Sequence, residues 1–342
     1  MNGSVVKMRR EKSSTPKGLG ERQIIEIIQE RLDLMPKMPV PFGDDVSAYD
    51  IGDNRLAILK TDMLVDKTDV PRGMSMWQAA RKAVVMNVSD FAAKGINPLA
   101  VLVALGLPGI VSKKDIVQIA DGLNAGAREY GAYVVGGDTG EATDTVISLS
   151  VFGIAEKAEL MPRSGAKPGD HVAVTGKFGR SAAGLKLLLD GLKAEKSVRE
   201  LLVDSVLMPR ARLKEGLALG KSGAVSACID SSDGLAWSLH EISRSSNVGF
   251  LIEHVPVADE VKSLAEANAL NSLELALYGG EEYELVVTVK KGSWKKAEDA
   301  VESVGGKLLQ IGKVTAERKM VLQVGKRKQV IESRGYEHFR SC

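Results

Sequence analysis

Apolar residues recur along this chain with two alternating periods, and the switches between them outline most of its elements. From Gly20 to about Leu34, Ile24, Ile25, Ile27 and Ile28 carry the spacing of a helix packing one face, which the Pro-rich MPKMPVPFG then stops. SAYDI and RLAILKT read as two strands joined by a Gly-Asp-Asn turn, the second running through Leu56, Ile58 and Leu59 towards Asp62. Ser75 with Gln78 three residues later signals a capping box, after which Ala80, Val84, Val88 and Phe91 continue a helix to Gly95. LAVLVALGL is an apolar run of strand length, a helix follows from about Ser112 to Tyr130, and AYVV and DTVISLSVFGI read as further strands.

Between Ala155 and Gly169 the segment AEKAELMPRSGAKPG loses periodicity and gathers Pro and Gly, which marks a domain boundary. Beyond it come the strand HVAVTG, a helix over 180–190, helical stretches to about 221, the strand AVSACID and a helix over 234–246. The strands GFLIEHV, YELVVTV and KLLQIGKV follow. The expected organisation is a basic leader at 1–19, an N-terminal domain at 20–155 and a C-terminal domain at 156–342.

A length of 342 residues suits about two domains. With 46 Lys+Arg against 44 Asp+Glu the net charge is only +2, too balanced for a nucleic-acid footprint, and 4% aromatics argue against a stacking platform for single strands. No apolar run approaches membrane-spanning length and the N-terminus lacks a signal-peptide pattern, so the expectation is a cytoplasmic protein with neither membrane nor nucleic-acid partner. Cys228 and Cys342 cannot build a disulfide framework or a multi-cysteine metal site. Lys7, Arg9, Arg10, Lys12 and Lys17 at one end, and Lys326, Arg327 and Lys328 near the other, read as solvated tails.

The informative chemistry is acidic. FGDD (Asp44, Asp45), KTD (Asp62), NVSD (Asp90), VVGGDT (Asp138) and CIDSSDG (Asp230, Asp233) place carboxylates where apolar segments give way to Gly, Ser or Thr. Any one alone reads as a turn former or helix cap. Together, with Thr61, Ser89, Thr139, Ser231 and Ser232 beside them, they supply the oxygens that Mg²⁺ ions held against phosphates require. Scattered cysteines and histidines offer no soft-metal site. There is no Walker-type or dinucleotide Gly pattern, but GGDT and TGKFGRSAAG could bring backbone N–H groups to a phosphate, the second at a helix N-terminus. Arg163 and Lys167 add charged donors. His171, His240, His254 and His338 lie apart with no Ser or Cys elbow, which disfavours covalent catalysis. Phosphoryl transfer to an already ionised phosphate needs positioning and cations rather than a strong base.

Together FGDD, KTDMLV, NVSDFAAKG, GGDT, RSGAKPGD, TGKFGRSAAGL, IDSSDGLA, YGGEEYEL and RGYEHF resemble, in order and spacing, the thiamine-monophosphate kinase family of the aminoimidazole ribonucleotide synthetase superfamily, from about Gly43 to Phe339. The archaeal branch is the nearer likeness. The resemblance implies an α+β N-terminal domain that dimerises through its sheet, an α/β C-terminal domain, and a site in the cleft between them. It implies a homodimer that passes the γ-phosphate of ATP to thiamine monophosphate with several Mg²⁺ ions. By motif, Asp45, Lys60, Thr61, Asp62, Asp90, Asp138, Asp230 and Asp233 would be the Mg²⁺ ligands, with Asp45, Asp90 and Asp138 central to catalysis. Gly137, Asp138, Arg163 and Ser232 would meet ATP, and Asp69, Glu281 and Tyr336 would hold the thiamine substrate.

Three departures stand out. Lys60 replaces a Ser or Thr of many members, leaving only a main-chain carbonyl as ligand; Asp69 replaces a substrate-contacting His; and Glu282 replaces an Asp, a one-methylene change of minor expected effect. Among relatives, selenophosphate synthetase would need a reactive N-terminal Cys or selenocysteine, which is missing here, and RSGAKPGD and GGEEYEL argue against aminoimidazole ribonucleotide synthetase itself. A hydrogenase-maturation relative would use a terminal thiol such as Cys342, although GYEHF before it matches the kinase ending. A catalytically silent Mg-nucleotide binder is the alternative from another class.

Overall fold

The computed structural model describes residues 15–339, so the calls on Lys7, Arg9, Arg10, Lys12 and Cys342 lie outside the described residues. Among the described residues, 15–37 and 336–339 form one compact unit, and Met38–Gly335 form the other. In the smaller unit a helix spans Glu21–Gln29, ending before the Leu34 expected from the isoleucine spacing. No helix among the described residues is long and apolar enough to cross a membrane.

The larger unit is built on two sheets. The first contains β1 (Ser47–Gly52), β2 (Arg55–Val65), β3 (Pro98–Leu107), β4 (Tyr133–Glu141) and β5 (Val146–Glu156), in the order β1-β2-β5-β3-β4. β1 and β2 form the expected hairpin; Asp53 (φ 49°) and Asn54 (φ 61°) both take the left-handed conformation a tight two-residue turn demands. The second contains β6 (His171–Val174), β7 (Val225–Asp230), β8 (Gly249–Ile252), β9 (Leu285–Val289), β10 (Leu309–Thr315), β11 (Met320–Val324) and β12 (Arg327–Val330). Its order is β12-β11-β8-β10-β6-β9-β7, with β8 and β11 the parallel neighbours. The sequence pattern leaves β11 and β12 unassigned; Arg327 and Lys328 are exposed as expected, but they belong to a paired edge strand, not a frayed tail.

The helix Met76–Lys94 positions the site. Gln78 N donates to Ser75 Oγ at 3.2 Å and Ser75 N donates to Gln78 Oε1 at 2.9 Å, so the capping box sets its start, and Gly95 at φ 71° closes it in a left-handed cap. It packs on β2 and β5 of the first sheet and on β7 of the second, and is buried on all sides. Polar side chains on such a helix must find partners within the protein. Lys82, Asn87, Ser89, Asp90 and Lys94 are all buried on it.

Candidate functional site

Three elements converge at the C-terminal half of this helix. The turn after Gly43 (φ 91°) brings in Asp44 and Asp45, the helix supplies Ser89, Asp90 and Lys94, and β7 ends at Asp230. Asp45, Asp90 and Asp230 are buried, with carboxylate oxygens that lie within 4.8 Å of one another. Ser89 Oγ donates to Asp230 Oδ2 at 2.6 Å. The turn before β1, the helix shared by the two sheets and the end of β7 thus build one acidic centre.

Like charges at this separation repel, and the protein supplies its own cations. Lys94 Nζ lies 2.6 Å from Asp44 and 2.8 Å from Asp45 and donates to the Cys228 carbonyl at 2.9 Å. Arg163 donates its backbone N–H to Asp44 (3.0 Å), Nη1 to the Gly43 carbonyl (2.7 Å) and Nη2 to Asp45. Lys60 Nζ sits 2.8 Å from Asp90 Oδ2. Burial disfavours the Asp45 carboxylate, but Arg163 and Lys94 outweigh it and lower its pKa to about 2. Burial, opposed by Lys60 but aided by Asp230, Asp45 and Asp62, pushes Asp90 well above the ordinary range. Burial and the Asp45 charge push Asp230 up to about 6. Carboxylates therefore outnumber the cations within reach. Hydroxyl and carboxylate oxygens, together with the buried, unpartnered Ser231 Oγ beside Asp230, are donors that suit a hard divalent cation.

The other expected residues are placed differently. Strand alternation puts Lys60 and Asp62 on one face of β2 and Thr61 on the other, where Thr61 Oγ1 donates to the Leu149 carbonyl at 2.9 Å. Gly137 and Asp138 lie on β4, an edge strand exposed along its whole length and paired in parallel with β3. GGDT is thus part of a strand rather than a loop, and a Cβ at Gly137 would meet the Val103 carbonyl oxygen at 1.8 Å, so glycine is needed there for strand contact. The second expected phosphate cradle, at the start of the helix Arg180–Leu189, is filled from within. Glu282 Oε1 accepts from Gly179 N (2.7 Å) and Ser181 N (3.0 Å), which gives position 282 a capping role.

Ser232 and Asp233 lie in the turn after β7, joined to the 279–284 segment where Glu281 N donates to the Ser232 carbonyl (2.6 Å) and Tyr283 N to that of Ser231 (3.0 Å). Glu281 (φ 62°) and Tyr283 (φ 53°) are non-glycine residues in left-handed backbone, the kind of strain that concentrates at ligand sites. Lys82, buried on the long helix, donates to the Asp69 carbonyl (2.9 Å) and pairs with Glu281 Oε1 (2.5 Å), bringing two expected substrate residues into one network. Asp69 Oδ2 accepts from Val65 N at 2.7 Å. Tyr336 belongs to the smaller unit, where its hydroxyl lies 3.3 Å from His338 Nδ1.

Sequence reasoning missed Lys82 and Lys94. The available signal was a lysine within an otherwise apolar helical stretch, AAKG, which also reads as a cation opposing the helix dipole.

Two sheets sharing one helix, with carboxylates from the turn before β1, the helix itself and the end of β7 meeting there, define a two-domain protein of the AIR synthase class. The N-terminal domain of AIR synthase related proteins matches residues 43–155, and the C-terminal domain matches 167–325. Thiamine-monophosphate kinase of Nitrosopumilus maritimus is 33% identical over 322 residues, covering 94% of this chain and 99% of that protein. The Pyrococcus abyssi protein of the same name is 38% identical over 298 residues, covering 86% and 90%. A solved structure described as AaThiL complexed with AMPPCP and TMP matches with a TM-score of 0.83 at 28% identity, covering 95% of this chain and 99% of that one. The chain belongs to the thiamine-monophosphate kinase family.

Proposed function

We propose that this protein transfers the γ-phosphate of ATP directly to thiamine monophosphate, forming thiamine diphosphate and ADP. The observation that carries this reading is the buried Asp45–Asp90–Asp230 centre in a chain similar over nearly its full length to kinases of that name. The similarity to a kinase structure described as holding AMPPCP and TMP supports the same pair of substrates here.

Asp45, Asp62, Asp90, Asp138, Asp230 and Asp233 are the proposed Mg²⁺-holding carboxylates, with main-chain oxygen from Lys60 and oxygen from Thr61. Bound Mg²⁺ would screen phosphate charge and stabilise the transferring phosphoryl group. Gly137, Asp138, Arg163 and Ser232 meet the nucleotide, while Asp69, Glu281 and Tyr336 hold the thiamine substrate. Thiamine monophosphate brings an ionised acceptor oxygen, so these residues orient and neutralise rather than abstract a proton. The reading includes a homodimer formed through the first sheet, supported by Tyr49, Leu59, Leu102 and Ile154 exposed on its strands.

The test incubates purified protein with Mg-ATP and thiamine monophosphate, follows ADP and thiamine diphosphate together, and omits each component in turn. Equal formation of both products, lost on any omission, is expected. Nucleotide-dependent stabilisation without either product would instead indicate a silent binder.

A further inference from the structure

The Lys60 side chain lies at the edge of the acidic centre as a cation, whatever its main-chain oxygen does. Its ammonium is 2.8 Å from Asp90 Oδ2, its side chain is only 20% exposed, and the charges of Asp62 and Asp45 also act on it. Asp44, Asp45, Asp62, Asp90 and Asp230, with Glu241 beside Arg163, supply six carboxylates to this group, against four cations in Lys60, Lys94, Arg163 and Arg244, the last paired with Glu241. With every carboxylate ionised two negative charges remain, which one divalent ion would neutralise. The three cations that touch the aspartates are not equivalent. Lys94 is fully enclosed and also donates to the Cys228 carbonyl, and Arg163 is tied to the Gly43 carbonyl, so both are also anchored to main chain. Lys60 has Asp90 as its ion-pair partner and reaches it from β2 of the first sheet, whereas Asp230 comes from β7 of the second.

We propose that the Lys60 ammonium is a built-in cation that takes the place of one divalent ion beside Asp90. The nucleotide-free centre then binds one divalent ion, whereas a neutral oxygen-bearing residue at position 60 would admit a second. Lys60 is a positioning residue: it holds Asp90 and sets the ion count. The inference rests on the metal-binding reading above.

The test counts Mn²⁺ ions bound per nucleotide-free chain, from the loss of the free-ion resonance signal, in the wild type, Lys60→Ser and Lys60→Arg. Melting temperatures are recorded with a chelator and with excess Mg²⁺. Wild type and Lys60→Arg should bind the same number, and Lys60→Ser one more. In chelator, Lys60→Ser should melt roughly 5–10 °C below wild type because Asp90 is left buried and unpaired, and Mg²⁺ should close most of that gap. A lysine needed only for packing would leave the gap unchanged by Mg²⁺. Equal ion counts in wild type and Lys60→Ser would overturn the proposal, as would an extra ion in Lys60→Arg, which remains informative if the serine variant fails to fold. If Mn²⁺ binds to none of the three proteins, the metal reading itself falls, and this inference with it.

Discussion

The buried centre at Asp45, Asp90 and Asp230 and the open edge at Gly137 and Asp138 carry the same residue type under opposite conditions. At the centre the carboxylates are enclosed, face one another and are held by Lys60, Lys94 and Arg163. On β4 every residue is exposed, and Asp138 projects from an edge strand. Enclosure makes each central charge costly unless it is matched, so the protein fixes the geometry there in advance with its own cations. At the edge water screens the charge and nothing needs to hold it. A preformed cation site is therefore expected at the centre, and a site completed by the nucleotide's phosphates at the edge.

The strongest way to break this comparison is to change one carboxylate in each region. Asp230→Asn should lose nucleotide-free Mn²⁺ binding and lower turnover by roughly a hundredfold or more while melting in chelator at or above the wild-type temperature, since a repelling charge is removed. Asp138→Asn should lower turnover comparably yet leave nucleotide-free Mn²⁺ binding intact; ion titration and product formation separate the two. Lys94→Met should cost about 3–5 kcal/mol in denaturant unfolding, because two buried aspartates lose a shared partner. An effect below about 1 kcal/mol would show that the centre does not depend on its internal cations.

Glu281→Ala should raise KM for thiamine monophosphate by about tenfold or more and KM for ATP much less, because it removes the ion-pair partner of Lys82 in the loop proposed to hold that substrate. Equal effects on both would remove Glu281 from the substrate site. The smallest expected effect concerns pH. Burial raises the Glu282 pKa from 4.5 to about 8, so its contribution to stability is fully present below pH 4.5 and is lost as pH rises through 8. Glu282→Gln keeps the accepting oxygen but cannot ionise. Its stability relative to wild type should therefore rise from pH 5 to pH 9 in denaturant titrations, and a flat difference would contradict the assignment.

What could be read from the sequence follows the same physics. The hairpin turn at Asp53–Asn54, the capping box at Ser75 and the terminating Gly95 are local devices, and each is formed as its residues indicate. The acidic motifs pointed to carboxylates gathered in one place, and Asp45, Asp90 and Asp230 are brought together. Three features were not legible. GGDT looks like a loop, and only its pairing with β3 shows that glycine is needed for close strand contact. The N-terminus of the helix Arg180–Leu189 looks like a phosphate cradle, and only the return of the chain about a hundred residues later, at Glu282, fills it. Lys82 and Lys94 look like ordinary helix lysines until both sheets close over the helix that carries them. Each depends on contacts between residues distant in sequence.

The most direct test of the account is to locate bound Mn²⁺ by anomalous scattering in crystals grown without nucleotide and then with an ATP analogue and thiamine monophosphate. The account predicts an ion among Asp45, Asp90 and Asp230 in the first crystal, and further ions reaching Asp138 only in the second. An ion at Asp138 in the nucleotide-free crystal, with none at the buried centre, would contradict it.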